Sequence, residues 1–506
     1  MAPPSHCHAT NGGGAPQHNG ANAVDARARL LDAEEFRRHG HLVVDFIADY
    51  YAGLGEYPVH PSVSPGFLRH HLPVEPPSRR EPDAFDAALQ DVRNVILPGL
   101  THWQSPRHFA HFPASSSTVG ALGEALAAGI NVVPFTWASS PAATELEMVV
   151  VDWLGKAIHL PESLLFAGGG GGTILGTTCE AILSALVAAR DRKLAVIGED
   201  RIGDLVVYCS DQTHFAFCKA ARIAGIRREH CREIPTYRDD TFALSPTELQ
   251  AAMQRDVDAG LVPLFLCATI GTQTTAVDPV GELCAVAALH GAWVHVDAAV
   301  GAGVPEFRGV IAGVEAADSF SMNAHKWLLA NNDCCVMWVR TPSALVAALG
   351  TEQEYILKDA AAEASSTTRT GHDADAAVPR AQGGLREHVR SHVRMAAAFE
   401  GMVRADARFE VVTPRRFALV CFRLRSPKNY RFAGGEKSAN ELNRRLLEEV
   451  NAASSGPYMS SGKVGGVYML RCAVGSTLTE ERHVREAWKA VQDRATSILR
   501  KMETIM

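Results

Sequence analysis

A series of short, mostly apolar runs set between helical segments constrains the fold most. Residues 205–209, 264–268 and 293–296 are such runs, and 319–322 reads as a further strand. Residues 149–159 look helical, and 181–192 form an alanine-rich helix. Apolar runs this short are strands buried on both faces, with helices covering each side. Residues 121–340 therefore predict a mostly parallel α/β sheet. The texture changes from residue 408 onward. Residues 409–412, 418–424 and 468–472 read as strands and 480–502 as a helix, which predicts a smaller α+β unit. A chain of 506 residues is too long for one small core. The expected division is a disordered leader over 1–31 and a helical and extended arm over 32–110. A large α/β domain over 111–384 and a small C-terminal domain over 385–506 follow. In the arm, Phe36, Val43, Val44, Ile47 and Tyr50 can share one helix face.

Two of the strands end in chemistry. The run 293–296 delivers Asp297, and the run 319–322 leads through Asn323 and Ala324-His325 to Lys326. A lysine and an aspartate at neighbouring strand ends suit pyridoxal phosphate (PLP). The lysine amine bonds to the aldehyde, and the aspartate keeps the pyridine nitrogen protonated so that the ring accepts electrons. The glycine run 168–172 leads into Thr177-Thr178-Cys179, and backbone amides at a helix start favour a phosphate. His214 follows the strand 205–209, on the carboxyl edge where α/β ligands bind. Its flat ring can stack on a flat cofactor.

Other function classes fit less well. Net charge is −7, with no long basic run, which argues against nucleic acid and an anionic membrane surface. No apolar run reaches membrane-spanning length. Eleven cysteines lack CxxC spacing, which predicts reduced thiols, no metal site and a cytosolic setting.

The segments around Phe135 to Glu147, Thr177 to Ala181, Asp211 to His214, His295 to Ala299 and Asn323 to Trp327 resemble PLP-dependent aromatic L-amino acid decarboxylases. Plant tryptophan and tyrosine decarboxylases look most similar. The resemblance implies an aspartate-aminotransferase-like (fold type I) fold and a homodimer with the arm at its interface. It implies that Lys326 bonds PLP, Asp297 pairs with the ring nitrogen, His214 stacks on the ring and Ala299 packs beneath it. Thr177, Thr178, Cys179 and Asn323 would hold the phosphate, with Thr272 near the cofactor. Phe112, Pro113 and Ala114 resemble substrate-pocket positions, and Val133 and Phe135 resemble pocket residues lent by the partner. Tyr355 resembles a mobile-loop tyrosine that returns a proton to the α-carbon. A phenylalanine there accompanies aldehyde synthesis. The expected reaction is decarboxylation, preferably of tryptophan to tryptamine.

The chain also departs from the pattern. The loop 300–305 reads short. Residues 364–384 replace an Asp-Trp element, an Arg pair and a long amphipathic helix with Ser, Thr, Ala, Asp, Arg and Gly lacking periodicity. This segment predicts disorder and weak turnover, and supports one alternative to the decarboxylase reading, an impaired paralogue acting as a partner subunit; the other alternative, an aromatic aldehyde synthase, is disfavoured by Tyr355.

Overall fold

The computed structural model describes residues 32–75, 84–134, 136–271, 274–298, 309–350, 378–426 and 435–504, with the side chains of 378–383 left aside. The chain divides into two compact units, residues 1–56 with 64–98 and residues 57–63 with 99–506.

The first unit holds helices α1 (Ala33–Gly53) and α2 (Ala84–Asp91). Asp32 caps α1 by accepting the Glu35 N–H at 2.8 Å, as an acidic N-cap should. The His39 ring stacks on Phe85 at 3.9 Å. No residue of α1 is buried, and Phe36 is 74% exposed.

The second unit opens with β1 (His108–Phe109), α3 (Thr118–Ile130) and α4 (Pro141–Ala157). Next come β2 (Gly171–Leu175), α5 (Thr178–Ile197), β3 (Leu205–Ser210), α6 (Ala216–Ile223) and β4 (Cys231–Ile234). Then α7 (Pro246–Asp258), β5 (Val262–Thr269), α8 (Val280–Leu289), β6 (Trp293–Ala298) and β7 (Ser319–Asn323) follow. The one-turn α9 (Ala324–Trp327), β8 (Cys335–Val339) and α10 (Pro342–Leu349) complete this part. Seven strands form one sheet in the order β2-β8-β7-β6-β5-β3-β4. β7, β6, β5, β3 and β4 run parallel, and β8 is antiparallel to both its neighbours.

Burial on both faces explains the apolar runs. Every residue of β3 is buried. Val206 and Tyr208 pack into one core, Leu205, Val207 and Cys209 into another. The period-2 alternation sends neighbours to opposite faces, so both sets must be apolar. Helices α7 and α8 lie on the first face, α5 and α6 on the second.

The later chain forms α11 (Val378–Ala405), β9 (Phe409–Val411), β10 (Leu419–Leu424), α12 (Glu436–Asn451), β11 (Tyr458–Val464), β12 (Val467–Ala473) and α13 (Glu481–Thr504). A second sheet has the order β1-β11-β12-β10-β9. Phe399, Phe409, Phe422 and Trp488 meet mostly edge-on to cement α11 and α13 to it. This is the expected α/β fold with a smaller α+β part.

Three local expectations change. Helix α11 begins at Val378, so residues 378–384 are helical rather than structureless. Val389, His392, Ala396, Phe399 and Val403 form a buried stripe at alternating three- and four-residue spacing, and a helix nucleated there extends backward one hydrogen bond at a time. The remainder of the unusual segment, 364–377, lies outside the described residues. The glycine run does not lead straight into a helix. It enters β2, which pairs with β8. Its glycines serve close chain packing: a Cβ at Gly168, Gly170 or Gly172 would strike the carbonyl oxygens of Glu162, Ser163 and Met337. Lys326 sits on the one-turn helix α9 rather than in a simple turn.

Candidate active site

The carboxyl ends of β5, β6 and β7 and the start of α9 converge on a cavity of about 530 Å³. Thr269, Gly271, Asp297, His325 and Lys326 line it from the large sheet, His214 from the turn after β3, and Phe112, Pro113 and Ala114 from the segment after β1. A larger cavity of about 930 Å³ lies near Asp278 and Arg416, but no lysine or histidine lines it among the described residues.

Strand β6 fixes Asp297. The residue is buried, and its Oδ1 has no hydrogen-bond partner among the described residues. Burial pushes its carboxyl up to about 6, with the Lys326 ammonium pulling the other way. Burial holds Lys326 below the ordinary lysine range, and Asp297 partly restores it. The Lys326 Nζ stands 5.8 Å from the centre of the Phe112 ring. Trp327, the next residue, is buried and donates its Nε1–H to His392 Nδ1 of α11 at 3.0 Å. The helix thus anchors the lysine turn from behind.

The start of α5 lies near Lys326, although Thr177, Thr178, Cys179 and Asn323 do not line the cavity. Thr177 is its N-cap and joins Glu180 in a capping box. Glu180 also accepts the Gly176 N–H at 2.8 Å. Thr178 Oγ1 accepts from Asn323 Nδ2 at 2.5 Å, which ties the start of α5 to the end of β7. Asn323 Oδ1 is buried without a partner among the described residues. Cys179 lies half-buried in the first turn. In the cavity, a buried lysine and the orphaned Asp297 oxygen fit the amine-reactive aldehyde and ring N–H of a phosphorylated pyridine, and the helix start with the orphaned Asn323 oxygen nearby suits its phosphate.

His214 is held below the usual histidine range by burial and then by Lys326, which favours its neutral ring. Val133 follows α3, is 62% exposed and does not line the cavity. Thr272, Ala299, Phe135 and Tyr355 lie outside the described residues.

The lining residues that the sequence reading did not assign to the site include Trp103, His111, His325 and Arg471. His325 Nδ1 accepts the Cys334 N–H at 2.9 Å, so the neutral ring carries its proton on Nε2. Its place beside Lys326 was the available signal. Arg471 comes from β12, stands 5.7 Å from the Phe112 ring and donates to Ser460 Oγ at 3.1 Å. A lone arginine inside the apolar run 467–473 was its signal. Trp103 stacks with His108 and His111, and nothing in their local sequence marks them.

Residues 65–425 match the family model described as the pyridoxal-dependent decarboxylase conserved domain. The chain belongs to the pyridoxal-dependent decarboxylase family. A tyrosine decarboxylase of Oryza sativa subsp. japonica is 76% identical, over 99% of this chain and 100% of its own length. That match runs over 532 positions against 506 residues, so at least 26 positions of the relative have no counterpart here. The crystal structure of Oryza sativa TDC with PLP and tryptamine superposes with a TM-score of 0.86 at 44% identity, covering 92% of this chain and 99% of its own. The crystal structure of Rhodiola rosea 4-hydroxyphenylacetaldehyde synthase gives 0.83 at 45% identity, with the same coverage. This decarboxylase therefore has the type I fold and depends on PLP. Among its described residues, no helix is long and apolar enough to cross a membrane.

Proposed function

We propose that this enzyme is an aromatic L-amino acid decarboxylase that prefers tyrosine, releasing tyramine and CO2. One observation carries the preference: the 76% identity to a tyrosine decarboxylase along nearly the whole chain, against 44% to the structure holding tryptamine. The tryptophan preference expected from overall resemblance has only the lower identity behind it. Comparing kcat/KM for tyrosine and tryptophan on purified protein tests the choice. A higher value for tryptophan reverses it.

Bound PLP supplies an aldehyde for a lysine amine and a ring that accepts the electrons left when CO2 departs. Lys326 presents that amine, and its lowered pKa enlarges the neutral, nucleophilic fraction. Asp297 would keep a proton on the ring nitrogen, and His214 would cover the ring face. Thr178 and Asn323, with Thr177 and Cys179, would hold the phosphate at the start of α5, and Thr272 and Ala299 are assigned to the cofactor by resemblance alone. Phe112, Pro113 and Ala114 face the aromatic side chain of the substrate. Arg471 adds positive charge to the cavity, where it would attract the substrate carboxylate, and His325 Nε2–H offers a hydrogen bond into the same cavity. Tyr355 returns the proton to the α-carbon on the strength of resemblance. Tyr355→Phe should then shift product from amine toward aldehyde, and amine alone at the parental rate removes Tyr355 from that role.

The working unit is a cytosolic homodimer, and the resemblance assigns Val133 and Phe135 as residues lent to the partner's pocket. Supporting the dimer, Val119, Leu122, Leu126 and Ile130 form an apolar stripe along α3, each at least 60% exposed. Light scattering checks the assembly. A second reading, an impaired enzyme acting as a partner subunit, is favoured by the 26 or more positions without counterpart. Absence of turnover on every aromatic amino acid in a protein that binds PLP would select it.

A further inference from the structure

Away from the cavity, β3, α6 and β4 bring together three cysteines that their spacing in sequence keeps apart. The sulfurs of Cys209, Cys218 and Cys231 all lie within 4.8 Å of one another. Cys218 and Cys231 are 3.1 Å apart, and Glu233 Oε1 is 3.3 Å from the Cys218 sulfur. The parallel pairing of β3 with β4 sets Val207 beside Cys231 and Cys209 beside Glu233. Period-2 alternation then puts Cys209, Cys231 and Glu233 on one face. Cys218 comes down onto that face from the first turn of α6. β4 is the edge strand, so the cluster opens outward. Cys209 is its buried floor, Cys218 and Cys231 are half-buried, and Glu233 stands at the exposed rim.

We propose that Cys209, Cys218, Cys231 and Glu233 form a binding site for one thiophilic divalent cation of the zinc and cadmium class. A tetrahedral zinc with metal–sulfur bonds of about 2.3 Å holds its sulfurs about 3.8 Å apart, inside the span seen here. Three sulfurs and one carboxylate supply the four ligands such an ion takes. Binding replaces sulfur–hydrogen bonds with metal–sulfur bonds and releases the protons to solvent. No electron is transferred. The bound ion would clamp α6 to the edge of the sheet, a few residues beyond His214. The absence of CxxC spacing predicted no metal site, because that rule reads neighbours along the chain and these ligands are neighbours across strands.

The test is a cadmium titration of the reduced, PLP-loaded protein, read by the ultraviolet thiolate-to-cadmium charge-transfer band. One equivalent should saturate the band, and zinc should compete it away. Cys218→Ser and Cys231→Ser should each weaken cadmium binding by at least about a hundredfold, since even outer-shell partners of a metal carry tenfold to a hundredfold. PLP absorbance checks that each variant is folded. Glu233→Gln should weaken binding less, as a rim ligand that water can replace. A band undiminished in the double serine variant overturns the site. A Cys218–Cys231 disulfide in untreated protein, with no cadmium taken up after reduction, overturns it in favour of a redox pair.

Discussion

Two neighbouring stretches of the β6–β7 seam differ in how they treat polar groups. Around His295 the polar atoms are paired. Trp293 Nε1–H donates to Ser319 Oγ at 2.8 Å, Ser319 lies 2.8 Å from His295 Nδ1, and His295 Nε2 lies 3.1 Å from Ser321 Oγ. Two residues on, Asp297 keeps one oxygen without a partner among the described residues, as does Asn323 at the end of β7. Folding satisfies buried polar groups wherever it can. The pair left open suits the proposed cofactor, while the equally buried histidine is finished architecture. His295 and Asp297 are alike in burial and ionisability, and on this seam the hydrogen-bond account separates them.

The largest effect should come from the lysine beside the open end. Lys326→Ala should lose the covalent link to PLP and slow decarboxylation at least about a thousandfold, the scale seen when a catalytic nucleophile is removed. Borohydride trapping followed by peptide mapping checks it. A labelled peptide centred on another lysine breaks the comparison at its root.

Asp297→Asn should act in opposite directions on the two forms of the enzyme. Weakening a charge-assisted bond of about 1.5–3 kcal/mol to the ring should slow turnover by roughly tenfold to a hundredfold. Without PLP the same change should stabilise the fold. The folded carboxyl sits near 6 against 3.8 unfolded, so its contribution is present below the unfolded value and lost as pH rises through about 6. Above about pH 6 that loss amounts to at most about 3 kcal/mol, which the asparagine avoids. His295 has the reverse sign. Burial lowers it to about 3, so its contribution is full above the ordinary histidine value and lost as pH falls toward about 3. Unfolding midpoints of the PLP-free protein across pH, with and without Asp297→Asn, separate the two slopes.

Which parts of this were legible depended on whether the signal was local. Strands β3, β5 and β6 announced themselves because burial on both faces makes nearly every residue apolar. Strands β4 and β11 did not, since edge and half-exposed strands such as Cys231–Ile234 and Tyr458–Val464 carry polar residues. Lys326 and Asp297 stood out at the ends of apolar runs. Trp103 and Arg471 reach the same cavity only because β1 pairs with β11 in the second sheet, a contact across most of the chain. Thr178 and Asn323 were assigned by resemblance, and their mutual bond required the fold. The start of α11 was hidden because composition around 378–384 is polar and glycine-rich, while the stripe that pins the helix begins at Val389.

Smaller effects belong to the finished end of the seam. Ser319→Ala removes one oxygen that serves both Trp293 and His295, and should cost about 1–3 kcal/mol of stability by leaving buried donors or acceptors unmade. The PLP absorbance should not move, because neither partner lines the cavity.

Ser321→Ala should be the mildest and the sharpest. It strips the hydrogen bond from His295 Nε2 only, at 3.1 Å the longer of that ring's two contacts, so about 1 kcal/mol is expected. Yet Ser321 is the residue paired with Asp297 across the two strands. If paired and open regions are truly separate, stability falls while the PLP spectrum and the pH profile of turnover stay at their parental values. A shifted spectrum would show that the His295 network reaches the aspartate through Ser321. The distinction between architecture and site would then fail at the one position where the two touch.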